Sequence, residues 1–284
     1  RHTVSREEMY RNYWYRSGVN KTIRDELADI VRNIESIILL KSGDFVIDIG
    51  SNDSTLLRAY KVPGLNTIGF EPAKNLVQKY GTEGVTRVIS DFFNFSIWQK
   101  EHKNQKAKVI TAIAMFYDLD DPNAFVVDMV KCLDDDGLII IQMLYLPSFL
   151  ERNAFDGICH EHLEYYSLFS LKNLLKRHSL EIIDAEFRPI NEGSFRFYIC
   201  KIGRGADLKI NQGAEERMRI LREKESHTGV NNRETYDNFI KRVQVIREKV
   251  RSFINQEVAN GKKIYGYGAS TKGNTLLQYF GLDN

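Results

Sequence analysis

The stretch 158–167, ICHEHLEYYS, gathers Cys159, His160, Glu161, His162, Tyr165 and Tyr166 into one short run. Imidazole titrates near neutral pH without special tuning, so His160 or His162 suits general acid–base work. The two share a face if the stretch is extended. Histidine and cysteine beside a carboxylate could also ligate a metal. Adjacent residues of an extended chain point to opposite faces, however, and no further Cys/His cluster completes a ligand set. Proton transfer is therefore the chemistry expected here, with no metal and with a plain polar loop as the alternative.

A second group stands at the ends of apolar runs. FVIDIGSND places Asp48 and Gly50 at the close of a first strand, where open α/β sheets bind ligands and where glycine lets a ligand approach the backbone. A dinucleotide fingerprint needs two further glycines, and Asn52 and Ser54 occupy those places, which disfavours NAD. Glu71, with Pro72 after it in GFEPA, ends a second strand and suits the hydroxyls of a ribose. Asp91 and Phe92 end a third, offering a carboxylate to an exocyclic amine and a ring to a base. Met115, Phe116 and Tyr117 in AMFYDLDDP are candidates to wall the rest of the ligand. Acids at three successive strand ends suit an adenosine without phosphate, and S-adenosylmethionine fits that description.

The elements that must position these groups are legible as changes of period. Apolar residues at 23, 27, 30, 31, 34, 37 and 38 mark one face of a helix over 20–40 capped by Asn20. Strand candidates follow at 45–50, 66–71, 86–90, 108–114 and 137–144, with helices expected near 53–60, 73–80 and 122–133. That alternation predicts an α/β fold with a mostly parallel sheet. After a polar connection and a helix near 170–178, strands at 180–187 and 194–201 form an antiparallel edge pair. A glycine-bearing linker, a long helix over 232–259, and a strand, glycine turn and helix in KKIYGYGASTKGNTLLQYF close the chain. In that turn Gly266, Gly268, Gly273 and Lys272 could cradle an anion.

Composition bounds the rest. The 284 residues carry 40 basic and 38 acidic side chains, a balance that argues for neither nucleic acid nor a membrane surface as partner. Three cysteines are too few for a disulfide framework, so a reducing, cytoplasmic setting is expected. No apolar run reaches the roughly 20 residues of a membrane helix.

Five segments in order, DIGSNDSTLL, FYDLDDPNAF, CHEHLEYYSL, GSFRFY and YGYGASTKGNTLLQYF, resemble the S-adenosylmethionine-dependent C-methyltransferases of nucleotide-linked deoxysugars. The resemblance implies a class I, Rossmann-like methyltransferase sheet with an antiparallel edge strand and a partial second α/β unit. It implies a flap and helix over 1–40, a methyltransferase domain over 41–202, and a helical linker with the start of a substrate domain over 203–284. Family members also carry a cysteine-rich zinc module, which is absent here, so the chain is expected to be the middle of such a protein or a shortened relative.

The same resemblance implies roles. His162 is the base for a proton beside a ketone, with Glu161 or His160 orienting it. Tyr13 or Tyr15 of the flap, and Asn191, donate to the enolate. Ser270, Thr271, Lys272, Asn274 and Gly268 receive the sugar-nucleotide diphosphate, with Arg196 a second anion contact and Cys159 and Tyr165 facing the substrate. The chain departs from better-known members at Cys159, where they have tyrosine, and at Asn191 and Glu192, where they have a histidine–glycine pair. Rival functions are O- or N-methylation of a small metabolite, an NAD-dependent sugar oxidoreductase or epimerase, and a non-catalytic sugar-nucleotide-binding module.

Overall fold

The apolar runs pair into one sheet of seven strands: β1 (Phe45–Ile49), β2 (Asn66–Phe70), β3 (Arg87–Ile89), β4 (Ala107–Ile113), β5 (Leu133–Leu144), β6 (Leu180–Arg188) and β7 (Ser194–Lys201). The computed structural model describes residues 4–190, 193–210, 212–268 and 270–282. Strand order is β3-β2-β1-β4-β5-β7-β6, with parallel pairing from β3 through β5. β7 runs antiparallel to both of its neighbours. The expected antiparallel pair is therefore present, but the reversed strand is β7, one in from the edge, and β6 at the edge regains the common direction.

Ten helices surround the sheet: α1 (Arg6–Tyr10), α2 (Lys21–Ile37), α3 (Lys74–Leu76), α4 (Phe95–His102), α5 (Pro122–Cys132), α6 (Leu146–Glu151), α7 (Leu168–Lys176), α8 (Ala214–Thr228), α9 (Arg233–Ala259) and α10 (Thr271–Phe280) among the described residues. Asn20 caps α2 as read from the sequence, its Oδ1 accepting the Thr22 amide at 2.9 Å. Leu27, Ile30, Val31, Ile34 and Ile37 of α2 bury one face of the sheet through Val46, Val109, Leu138 and Ile140. The opposite face packs on α5 and α7 through Val126, Met129, Leu171 and Leu175. Strands β1, β2, β4 and β5, covered on both sides, are apolar on both sides for that reason.

Three expectations change. The stretch 53–60 is turns and one 3₁₀ turn (Leu57–Ala59), and 73–80 is a short α3 that widens into a π turn over Val77–Gly81. Residues 262–268 form no strand: Ile264, Tyr265 and Tyr267 are exposed and no described neighbour takes their backbone hydrogen bonds. The helix after them does form, and it docks on the 155–157 turn, where the Phe155 ring lies 5.1 Å from Tyr279 and 5.8 Å from Phe280. That contact carries the start of α10 back to the sheet. Among the described residues no helix is long and apolar enough to cross a membrane.

Candidate active site

The chain leaves β1 toward β2 and β3 on one side and returns as β4 on the other. The strand order therefore reverses between β1 and β4, which opens a crevice beyond their carboxyl ends. A cavity of about 550 Å³ lies there. Its floor is the turn after β1. Gly50 (φ 71°), Asn52 (φ 52°) and Ser54 (φ 61°) are all left-handed, so the backbone that a glycine fingerprint would supply is built from only one glycine. Asparagine tolerates this region and serine is held by its hydroxyl, which donates to the Gly81 carbonyl at 2.7 Å. The amides of Gly50 and Ser51 donate to the Phe70 carbonyl at 2.8 and 3.0 Å, locking the turn to β2.

Glu71 and Asp48 both line the cavity and both are buried. Glu71 accepts the Asn52 amide at 2.7 Å and the Ala73 amide at 2.8 Å. Burial raises its pKa and those two amides oppose the rise. Asp48 accepts the Thr111 hydroxyl at 2.6 Å. Burial, with a smaller push from Glu71 and against the Thr111 bond, lifts Asp48 to about 7. A folded pKa above the unfolded 3.8 means that this site costs stability as pH rises from about 4 to about 7. Asp48→Asn should therefore raise the unfolding temperature of the ligand-free protein, with a gap that widens across that window and then levels. The gain should be a few degrees, at about 2–4 °C per kcal/mol. A constant gap from pH 4 to pH 8 would show that Asp48 titrates normally.

The flap is present and its anchorage explains Asn52. The Asn52 side chain accepts the Ser17 amide at 2.9 Å and donates to the Tyr15 carbonyl at 3.0 Å, while Asp53 accepts the Gly18 amide at 3.0 Å. Asn75 clamps Tyr13 in both directions, at 3.0 and 2.8 Å. Tyr13 and Tyr15 accordingly line the cavity. So do Pro72, Phe92 and Met115. The Phe92 ring is covered by the guanidinium groups of Arg6 and Arg11 at 4.5 and 4.8 Å.

The 158–167 stretch is a loop of turns rather than a strand. Cys159, Glu161 and His162 reach the cavity. The His162 Nδ1–H donates to the Gly157 carbonyl at 2.9 Å, which in the neutral ring leaves the lone pair on Nε2. The ring packs 4.5 Å from Tyr117. The amides of Leu163 and Glu164 donate to the Tyr117 carbonyl at 2.9 and 3.0 Å, tying this loop to the turn after β4. From α10, Ser270, Thr271 and Lys272 line the far wall, and the Thr271 hydroxyl donates to Glu161 at 3.2 Å.

Several residues named from the sequence lie elsewhere. His160 is exposed and off the cavity, because the loop turns between it and His162. Asp91 pairs with Arg11 at 2.9 Å and accepts the Phe92 amide instead of facing a ligand. Phe116 is core, packed on Phe125 and Tyr166. Tyr165 does not line the cavity, and its hydroxyl donates to the Gly157 carbonyl at 3.0 Å. Gly268 and Asn274 are exposed and off the cavity, the first in the irregular 262–268 stretch, the second on the outer side of α10. Arg196 is fully buried, off the cavity and bonded to Gln142, Glu26 and Asp29 at 2.7, 2.8 and 3.0 Å, so its donors face protein side chains instead of an anion. Asn191 lies outside the described residues. Conversely, Tyr10, Ser51 and Asp118 line the cavity without having been singled out, although Asp118 belongs to an acidic turn that the sequence displays. Among the described residues no three His, Cys, Asp or Glu side chains converge as a metal-ligand group.

Residues 15–185 match the family model of a methyltransferase domain. The chain belongs to that family. Residues 189–284 match a second model, the C-methyltransferase C-terminal domain. C-methyltransferase NovU of Streptomyces niveus is 28% identical over 282 residues, which is 99% of this chain, and the chain spans 66% of that relative's length. A chain in the complex of the Haloferax volcanii Trm112 methyltransferase activator with a methyltransferase superposes with a TM-score of 0.50 at 14% identity, over 65% of this chain and 94% of that one. It shows the fold. The cofactor of this methyltransferase domain is S-adenosylmethionine, and the cavity suits it. Buried carboxylates at Asp48 and Glu71 offer acceptors, Phe92, Pro72 and Met115 offer apolar surface, and the Ser51 hydroxyl is buried with no hydrogen-bond partner among the described residues.

Proposed function

We propose that this chain methylates a carbon atom next to the carbonyl of a keto-deoxysugar nucleotide. The observation that carries the reading is His162, set on the cavity with Nδ1–H held by Gly157 and Nε2 left as the basic nitrogen. A proton on carbon beside a ketone is weakly acidic, so a fixed base is the first requirement. The match of the C-terminal third to a C-methyltransferase model supports transfer to carbon over transfer to oxygen or nitrogen. Asp48, Glu71 and the Gly50 turn would hold S-adenosylmethionine, which supplies an electrophilic methyl group on sulfur. Residues 41–202 would then hold the donor. Residues 203–284 would bring Ser270, Thr271 and Lys272 to the nucleotide side of the sugar.

Glu71→Ala should weaken S-adenosylmethionine binding by at least tenfold in calorimetric titration, because it removes a buried carboxylate and frees two amides. Equal affinity in the variant would place the cofactor elsewhere. Incubation with keto-deoxyhexose nucleoside diphosphates, followed by carbon NMR of the product, tests the acceptor. A new methyl on carbon supports the proposal, and a methyl on oxygen or nitrogen overturns it.

A further inference from the structure

Besides the Ser51 hydroxyl, two polar atoms on the cavity wall have no hydrogen-bond partner among the described residues. Tyr10 closes α1 and Asp118 stands in the turn after β4, and both line the same cavity as His162. Among the described residues the Tyr10 hydroxyl and Asp118 Oδ1 are buried without a hydrogen bond. The two groups are close enough to bear on each other's ionisation, Asp118 raising Tyr10 and the Tyr10 hydroxyl opposing the rise at Asp118, yet no hydrogen bond of normal geometry joins them. A buried orphan is costly and calls for an explanation, most often a ligand group that completes it.

We propose that Tyr10 and Asp118 are paired hydrogen-bond donors to the carbonyl oxygen of the methyl acceptor, holding the charge that gathers there when His162 takes the neighbouring proton. This rests on the C-methylation reading. In the step, the proton passes to His162 Nε2 and the C–H electron pair becomes the new C=C bond. The carbonyl π pair moves onto oxygen, and both donors keep their protons. An ionised carboxylate at Asp118 would repel that oxygen, whereas a neutral acid donates to it. The surroundings favour the neutral acid: burial, then the nearby Glu161 carboxylate, outweigh a lowering by the Tyr10 hydroxyl and hold Asp118 well above the usual carboxylate range. Burial keeps Tyr10 protonated as well, with Asp118, Glu161 and Tyr13 adding to the effect. Tyr117, Tyr165 and Cys159, all pushed upward chiefly by burial, stand near the pair as well. The placement is rigid because the Asp118 amide donates to Met115 at 3.1 Å and the adjacent Tyr117 carbonyl holds the His162 loop.

The experiment follows solvent-deuterium exchange into the acceptor, with keto-deoxyhexose nucleoside diphosphates and S-adenosylhomocysteine, in wild type, Tyr10→Phe, Asp118→Ala and Asp118→Asn. Exchange should fall about tenfold in Tyr10→Phe and about 10²–10³-fold in Asp118→Ala. It should recover substantially in Asp118→Asn, whose amide still donates, and S-adenosylmethionine affinity should not change. Exchange at the wild-type rate in Tyr10→Phe and Asp118→Ala overturns the pair and leaves C-methylation standing. Absence of both exchange and methylation in wild type across the panel overturns the C-methylation reading, and the pair falls with it. Infrared difference spectra of Asp118→Asn against wild type at neutral pH need no substrate. They should show loss of a carboxylic-acid C=O band, and loss of a carboxylate band instead overturns the assignment even if Asp118→Ala does not fold.

Discussion

Replacing His162 with glutamine should lower turnover by about 10²–10⁴-fold, the usual worth of a positioned base, while S-adenosylmethionine binds as before. Glutamine approximates the bulk of imidazole and can still donate to the Gly157 carbonyl, so the loop should keep its place against Tyr117. What disappears is the nitrogen that the proposed reaction uses as its base. The separation of effects follows from the layout. His162 lies on the loop after α6, whereas Asp48, Gly50 and Glu71 lie at the ends of β1 and β2, tied by their own backbone bonds. Calorimetry and single-turnover kinetics on one preparation would read both. A variant within a few-fold of wild type in kcat would remove His162 from the chemistry. An unchanged kcat with raised KM would make it a binding residue.

Much of the scaffold is legible because burial writes itself into period. β1, β2 and β4 are largely apolar on both faces, and seven of the eight strands read from the sequence begin and end close to the observed ones, apart from β5, which starts at Leu133 inside an acidic run. α4 and α8 escaped notice for the opposite reason. α4 is only eight residues long with a single buried residue, Trp98, and α8 is dominated by charge, burying only Ala214, Leu221 and Glu225. The site divides the same way. Asp48, Gly50 and Glu71 are local to strand ends, and such positions can be read one strand at a time. Tyr10 and Asp118 meet only through the docking of α1, and His160 and His162 part company because a turn, which the pattern of residue types does not encode, separates them. Arg196 could not have been placed from sequence, since Glu26 and Asp29 on α2 reach it across the sheet from far up the chain.

That arginine carries the second large effect. Arg196→Ala should destabilise the fold by about 3–5 kcal/mol, the range for breaking a buried ion pair from one side, which corresponds to a fall of roughly 10 °C in unfolding temperature. Its guanidinium joins β7 to α2 through Glu26 and Asp29 and to β5 through Gln142, with no exposure to water. Arg188 shares both carboxylates, at 2.7 Å to Glu26 and 3.1 Å to Asp29, and keeps the loss below that of a wholly stranded charge. Arg196→Met separates charge from volume. If pairing dominates, methionine is nearly as damaging as alanine, and full recovery with methionine would show that the side chain merely fills space. The acid limb gives an independent reading. Burial raises Glu26 and Asp29, but the arginines outweigh it and hold both below their ordinary values. Their stabilisation is therefore present above the unfolded carboxylate range and is lost as pH falls through the lowered folded values. Removing Arg196 should shrink that acid-dependent loss, so wild type and variant converge as pH falls and differ most at neutral pH. Glu26 and Gln142 also form part of the cavity wall, so the same network that holds α2 to the sheet sets the rigidity of the surface on which the proposed reaction would be aligned.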